Sequence, residues 1–95
     1  MRVVGRDVLE QAEKEHRGSG LNKALSAWLK VVELADWRNF PDVKNTWRAV
    51  DYVKPYTVFD IKGNEFRLTT VINCVLKTVQ VLRLKTHKAY TREGP

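Results

Sequence analysis

The chain has 95 residues, of which 43% are hydrophobic and 29% are charged, and its formal net charge at pH 7 is +6. This length supports one domain, residues 1–95, with a single modest core, and the composition excludes a disordered or low-complexity protein. No apolar run approaches the roughly 20 residues needed to cross a bilayer, and the charged N-terminus lacks the apolar stretch of a secretory signal. We therefore expect a cytoplasmic protein that does not bind membranes.

The residues that bind metals or form disulfides are too few for either kind of site. Cys74 is the only cysteine, and the only histidines are His16 and His87. One cysteine cannot form an internal disulfide, and one cysteine with two histidines is a poor set of zinc ligands. The sequence predicts no metal site and no cofactor.

Positive charge is concentrated in the second half of the chain. Residues 51–95 carry eight Lys or Arg against four Asp or Glu, whereas residues 1–50 carry nine against seven. The segment between Glu65 and Glu93 contains basic residues and no acid: Arg67, Lys77, Arg83, Lys85, Lys88 and Arg92. Such a surface favours a polyanion such as nucleic acid. An acidic protein partner or a merely solvated basic face would be compatible with the same distribution.

The first half of the chain is predicted to be mostly helical. Residues 1–4 are a short apolar run that predicts a first strand. Helical spacing of apolar residues over 8–16 predicts an amphipathic helix, which the glycines of residues 18–20 end. A second helix begins near Leu21, and its apolar stripe is Leu21, Leu25, Trp28, Val32 and Ala35.

The segment that follows contains three large aromatic residues and a possible helix start. Asn39 as a cap and Pro41 at a first helical position predict a short helix or turn over residues 41–47. We interpret Trp37, Phe40 and Trp47 as core residues. The alternative is a platform for stacking nucleic-acid bases.

Three strands are predicted in the second half of the chain, at residues 56–61, 66–73 and 78–86. Gly63 and Asn64 tolerate positive φ, which predicts a two-residue hairpin between the first two of these strands. The order β, α, α, β, β, β predicts an α+β fold in which two N-terminal helices pack on one face of a small antiparallel sheet.

The alternation of side chains along the strands predicts which residues share a face. Arg67 is expected on the face opposite the apolar residues of its strand. In the last strand, strict alternation sets Arg83 and Lys85 on the same face as Val79 and Val81.

These strands bring together residues able to cleave RNA without a metal. The reaction needs a base for the 2′-hydroxyl, cations for the phosphorane and an acid for the departing 5′-oxygen. Histidine can act as acid or base near neutral pH, and arginine can bind a phosphate through two donors. We predict that Arg67, His87 and Tyr90 are catalytic. The predicted RNA-binding residues are Lys62, Asn64, Arg83, Lys85 and Lys88.

Simpler explanations exist for the same residues. His87 could be a hydrogen-bonded surface residue, Tyr90 could anchor the C-terminal segment, and Arg67 could pair with Asp60 or Glu65 across the hairpin. A non-catalytic module that binds RNA or an acidic partner through this basic edge would also account for the pattern.

Three stretches of the chain resemble a known family: ADWRNFPDVK at 35–44, VFDIKGNEFRL at 58–68 and THKAY at 86–90. The chain resembles the HigB family of toxins from bacterial type II toxin-antitoxin systems, within the RelE-like superfamily. The resemblance implies a compact α+β RelE-like fold and an mRNA interferase activity, often exerted on the translating ribosome. It also implies a cognate HigA-like antitoxin with a helix-turn-helix domain, and binding of operator DNA only through the toxin-antitoxin complex.

The resemblance assigns roles by position. The arginine, histidine and tyrosine typical of the family match Arg67, His87 and Tyr90. Members often have an acid directly after the tyrosine, where this chain has Thr91. The resemblance therefore leaves a carboxylate role unfilled, and we expect no acid close to His87 and a reduced or altered activity.

Overall fold

The structure is a computed structural model that describes residues 1–95. Strands and helices follow in the order β1 (Arg2–Val4), α1 (Arg6–Glu15), α2 (Leu21–Leu34), α3 (Phe40–Thr46), β2 (Val50–Val53), β3 (Tyr56–Ile61), β4 (Phe66–Asn73), β5 (Thr78–Thr86) and α4 (His87–Glu93). This α+β architecture confirms the predicted fold class. None of the helices is both long and apolar enough to cross a lipid bilayer.

The five strands form one sheet in the order β1-β5-β4-β3-β2. Neighbours pair antiparallel except β1 and β5, which are parallel, so the sheet is mixed. Strand β2 was not predicted, because it is a four-residue edge strand with three exposed side chains and no apolar alternation. Its backbone pairs with β3 across the turn at residues 54–55.

The main core lies between α2 and the sheet. Four of the five residues of the predicted stripe are buried within α2, namely Leu21, Leu25, Trp28 and Val32. The ring of Trp28 packs edge-on against Phe59 at 5.4 Å between centroids, and Trp37 stacks on the same ring at 6.2 Å. Trp37 is therefore a core residue, as predicted.

The cap predicted for α3 is present. The side chain of Asn39 accepts a hydrogen bond from the Asp42 amide at 3.1 Å, and Pro41 occupies the first turn of the helix. This cap satisfies one of the unpaired amides at the helix start.

An irregularity in the pairing of β4 and β5 overturns one prediction about faces. Thr69 pairs with Arg83 and Thr70 pairs with Val81, so Leu82 is an extra residue in β5. Because a bulge of this kind reverses the alternation, Val81 faces the helices and Arg83 faces away from them. The expectation that Arg83 and Lys85 share the face of Val79 and Val81 was wrong.

The face of the sheet opposite α1 and α2 is covered in part by α4 and the residues after it. Thr86 caps α4 by accepting a hydrogen bond from the Ala89 amide at 3.2 Å. Arg83 donates to the Pro95 carbonyl at 2.6 Å. The C-terminal segment is thereby folded back onto β5.

The turn between β3 and β4 also differs from the prediction. Positive φ values occur at Lys62 (55°) and Gly63 (64°) rather than at Gly63 and Asn64. Ile61 pairs with Phe66, so the loop contains four residues instead of two. This geometry leaves the side chain and carbonyl of Asn64 free to bind Arg67.

Substitution of Gly5 by alanine is expected to destabilise the fold strongly. Gly5 has φ of +92°, and an added Cβ would lie 2.5 Å from the Val81 carbonyl oxygen. Gly18 is the matched control, since its φ is +84° but nothing lies within 4 Å of the added atom. Both variants carry the roughly 1–2 kcal/mol cost of a left-handed alanine.

We expect Gly5→Ala to lower the thermal midpoint at least twice as far as Gly18→Ala, for which about 4–16 °C is expected from a cost of roughly 1–2 kcal/mol. Circular dichroism melts measure both shifts. Equal shifts would show that the close approach of Gly5 to β5 does not constrain the fold.

Candidate active site

The predicted catalytic residues meet at the hairpin end of the sheet, on the face opposite α1 and α2. Asp60, Arg67 and Lys85 form one row across β3, β4 and β5. Helix α4 follows β5 without a linker, so it starts beside this row. The His87 amide donates to the Glu65 carbonyl at 2.8 Å, which fixes the first residue of α4 against the hairpin.

Arg67 and His87 are in direct contact. Nη2 of Arg67 lies 2.6 Å from Nδ1 of His87. Because arginine can only donate, Nδ1 accepts this bond and the ring is neutral with its proton on Nε2. The contact joins β4 to α4, and His87 itself is exposed.

Both terminal nitrogens of Arg67 donate to acceptors within the protein, and Nε forms an ion pair. Nη1 donates to the carbonyls of Asn64 and Phe66 at 3.2 Å each, and Nη2 donates to Oδ1 of Asn64 at 2.7 Å in addition to His87. Nε lies 3.2 Å from Oδ1 of Asp60. Arg67 is only 7% exposed. The simpler interpretation, that Arg67 pairs with Asp60, is therefore correct alongside the contact with His87.

Asp60 is a site residue that sequence reasoning did not assign a role. It corrects the expectation that no acid lies close to His87, because its carboxylate binds Arg67, which in turn contacts Nδ1 of His87. Burial raises the pKa of the Asp60 carboxyl above its ordinary value, and the charge of Arg67 opposes that rise. The available signal was the alternation of β3, which sets Asp60 on the same face as Arg67 once the two strands are paired.

Tyr90 completes the cluster. Its ring centroid is 5.9 Å from Cζ of Arg67. Burial raises the pKa of the Tyr90 phenol above 10.0, and the carboxylates of Asp51 and Asp60 act in the same direction. Tyr90 is therefore a neutral phenol at physiological pH and can donate a hydrogen bond.

The predicted RNA-binding residues differ in how freely they face solvent. Lys62 pairs with Glu65 at 3.0 Å. Lys85 donates to the Gly94 carbonyl at 3.1 Å and pairs with Glu93 at 3.0 Å.

Arg83 is bound to the C-terminal segment and Asn64 to Arg67, whereas Lys88 is exposed and forms no ion pair. Arg83 and Lys85 thus lie beneath the C-terminal segment. The role of all five residues in RNA binding stays a prediction.

The amino-acid sequence of the chain matches one family model. That model describes HigB_toxin, the RelE-like toxic component of a toxin-antitoxin system, and it matches residues 21–93. The chain belongs to the HigB toxin family. It is therefore the toxic component of a toxin-antitoxin system, with a cognate antitoxin as its partner. A comparison with curated proteins found no match.

The match to the HigB family covers the whole site. It includes α2, α3, strands β2 to β5 and α4, and it leaves out β1 and α1. The family resemblance drawn from the three sequence stretches is thus confirmed, whereas the catalytic role of each residue is a separate question.

Replacement of Arg67 by lysine is expected to destabilise the protein by about 2–4 kcal/mol, because an ammonium cannot reproduce the forked donors of the guanidinium and several hydrogen bonds of a largely buried side chain are lost. Lys88→Gln is the control, since this exposed residue makes no ion pair and should change stability by no more than about 0.5 kcal/mol. Urea unfolding followed by tryptophan fluorescence gives both values. A loss of less than about 0.5 kcal/mol for Arg67→Lys would contradict the structural importance of these contacts.

Proposed function

We propose that this HigB-family toxin is an endoribonuclease, an mRNA interferase that cleaves messenger RNA by proton transfer between side chains and needs no metal. The observation that carries the proposal is the contact of 2.6 Å between Arg67 and the exposed ring of His87. It sets a fixed cation beside an imidazole, and the ring centroid of the neutral phenol Tyr90 lies 5.9 Å from Cζ of that cation.

The first step is an exchange of hydrogen-bond partners. While Arg67 donates to Nδ1, that lone pair of His87 cannot take a proton. A scissile phosphate offers a charged oxygen, which is a stronger acceptor for a guanidinium than a neutral imidazole. Transfer of Nη2 to the phosphate frees Nδ1 to act as the base for the 2′-hydroxyl.

The second step forms and resolves the phosphorane. The 2′-oxygen attacks phosphorus, the bond to the 5′-oxygen breaks, and the developing negative charge is neutralised by Arg67. Tyr90 is a proton donor to the departing oxygen, since its raised pKa keeps the phenol protonated. The products are a 2′,3′-cyclic phosphate and a 5′-hydroxyl.

The partners of this reaction follow from the family. A translating ribosome would present the messenger strand to the exposed edge at His87 and Lys88. A HigA-like helix-turn-helix antitoxin would neutralise the toxin, and operator DNA would be bound through the complex of the two. Asp60 fills the carboxylate role that Thr91 leaves open, because it pairs with Arg67 in the same cluster.

We expect His87→Ala and Tyr90→Phe to abolish growth arrest on expression and to slow RNA cleavage by roughly 10²–10⁴-fold. Each removes a proton-transferring group while leaving the partners of Arg67 on β3 and β4 in place. Mapping of RNA ends, with chemistry that detects 5′-hydroxyl groups, measures cleavage directly. Arg67→Ala is a poor test, since loss of activity could follow from unfolding.

Tyr52→Phe is the matched control for Tyr90→Phe. Tyr52 is 53% exposed on β2 and contacts the ring of Phe40, so its phenol is expected to be dispensable. Full growth arrest by both His87→Ala and Tyr90→Phe would contradict the catalytic assignment. Salt-sensitive RNA binding without any cleavage by the unmodified protein would favour the non-catalytic binding module instead.

A further inference from the structure

An open cleft of about 300 Å³ lies beside the catalytic cluster, between the loop that joins α3 to β2 and the β3–β4 hairpin. Its lining includes Trp47, Arg48, Asp60, Lys62 and Gly63. Asp60 lines the cleft and also binds Arg67 at 3.2 Å. Asp60 therefore links the lining of the cleft to the cluster that contains Arg67 and His87.

Arg48 is the unpaired cation of this cleft. It is exposed, and its side chain forms no ion pair or hydrogen bond. Lys62, across the cleft, is instead bound to both carboxylate oxygens of Glu65, at 3.0 and 3.1 Å. A guanidinium without a partner is available to bind an anion.

The backbone that carries Arg48 is anchored on both sides. Nε1 of Trp47 donates to the Asp60 carbonyl at 3.1 Å. The Asp60 amide donates to the Ala49 carbonyl at 2.8 Å. Arg48 thus stands between two residues tied to β3, so the backbone from which its side chain extends is held beside the cleft.

The remaining walls of the cleft suit a flat, uncharged group. Trp47 is half-buried, and its ring lies nearly perpendicular to that of Phe59, at 6.4 Å between centroids. Gly63 has nothing within 4 Å of the position that a Cβ would occupy, so the hairpin leaves open space there. Aromatic side chains next to a cation are the usual elements of single-stranded nucleic-acid sites.

We propose that this cleft is a nucleotide subsite for single-stranded RNA, in which Arg48 binds a phosphate flanking the scissile one and the base lies against Trp47. The inference rests on the proposed function, in that the bound strand is the one presented to His87. The volume of the cleft is at the lower end of ligand pockets, about 300–1,000 Å³, which fits one nucleotide.

A peptide rich in carboxylates is a poorer occupant of the same cleft. The acidic residue Asp60 belongs to the lining, and Glu65 binds Lys62 at its edge. Several further carboxylates would be repelled by these two. A nucleotide places one negative charge at Arg48 and an uncharged base against Trp47.

The test is the affinity of a fluorescein-labelled single-stranded RNA of twelve random nucleotides, measured by anisotropy with the His87→Ala protein so that the RNA stays intact. We expect Arg48→Gln in this background to raise Kd roughly three- to tenfold. The slope of log Kd against log salt should become shallower by about 0.7, as for the loss of one phosphate contact on a single strand.

Arg2→Gln is the matched control. Arg2 is exposed, makes no ion pair, and lies on β1 at the opposite edge of the sheet from β2, so its loss removes the same charge without touching the cleft. Equal effects of Arg48→Gln and Arg2→Gln would overturn the subsite. A poly-glutamate peptide that displaces the RNA, and whose own affinity depends on Arg48, would also overturn the subsite. That result would indicate an acidic protein partner.

The outcome for the cleft is separable from that for catalysis. A weaker RNA affinity for Arg48→Gln than for Arg2→Gln supports the subsite, even if the unmodified protein does not cleave RNA. The absence of cleavage would contradict only the nuclease proposal. Conversely, cleavage that depends on His87 together with an unchanged Kd for Arg48→Gln would defeat only the subsite.

Discussion

The site and the fold depend on the burial of one guanidinium. Arginine cannot lose its charge at any physiological pH, so a nearly buried arginine requires an acceptor for each of its donors. The protein supplies them from separate elements: the carboxylate of Asp60 on β3, the carbonyl and side chain of Asn64 in the hairpin loop, the Phe66 carbonyl on β4 and the imidazole of His87 on α4. Formation of this network therefore joins β3, β4 and α4, and the catalytic geometry proposed above arises as part of folding.

The same network determines what the resting toxin can do. His87 holds its Nδ1 lone pair against Arg67, and Tyr90 holds its proton. Neither group is a free base in this state. In the proposed mechanism, a phosphate that takes one donor of Arg67 changes the state of His87 at the same moment, so substrate binding and activation of the base are coupled through a single side chain.

Much of the scaffold could be predicted from the sequence because its signals are local. The apolar stripe of α2, the cap at Asn39 and the alternation of β3 and β4 each act over a few residues. Strand β2 could not be predicted, because an exposed edge strand is defined by its backbone partner. The reversal of faces at Leu82 was equally hidden, since a bulge depends on how β5 aligns with β4.

The candidate site was predictable in part for the same reason. The proximity of Arg67, His87 and Tyr90 followed from strand order and from the short helix after β5. The role of Asp60 could not be predicted without the register of β3 against β4. The position of Arg48 could not be predicted, because it depends on the hydrogen bonds that fold the α3–β2 loop onto β3. Nor could the covering of Arg83 and Lys85, which depends on the path of the C-terminal segment.

In this structure Arg67 holds His87 as a neutral ring with its proton on Nε2, since Nδ1 accepts from the guanidinium. Long-range ¹H–¹⁵N correlation NMR of the imidazole groups at about pH 8, where an unperturbed histidine is neutral, measures this directly, and His16 provides an internal comparison. The structure predicts a single Nε2–H tautomer for His87. A ring that carries its proton on Nδ1, or that averages between both tautomers, would contradict the account.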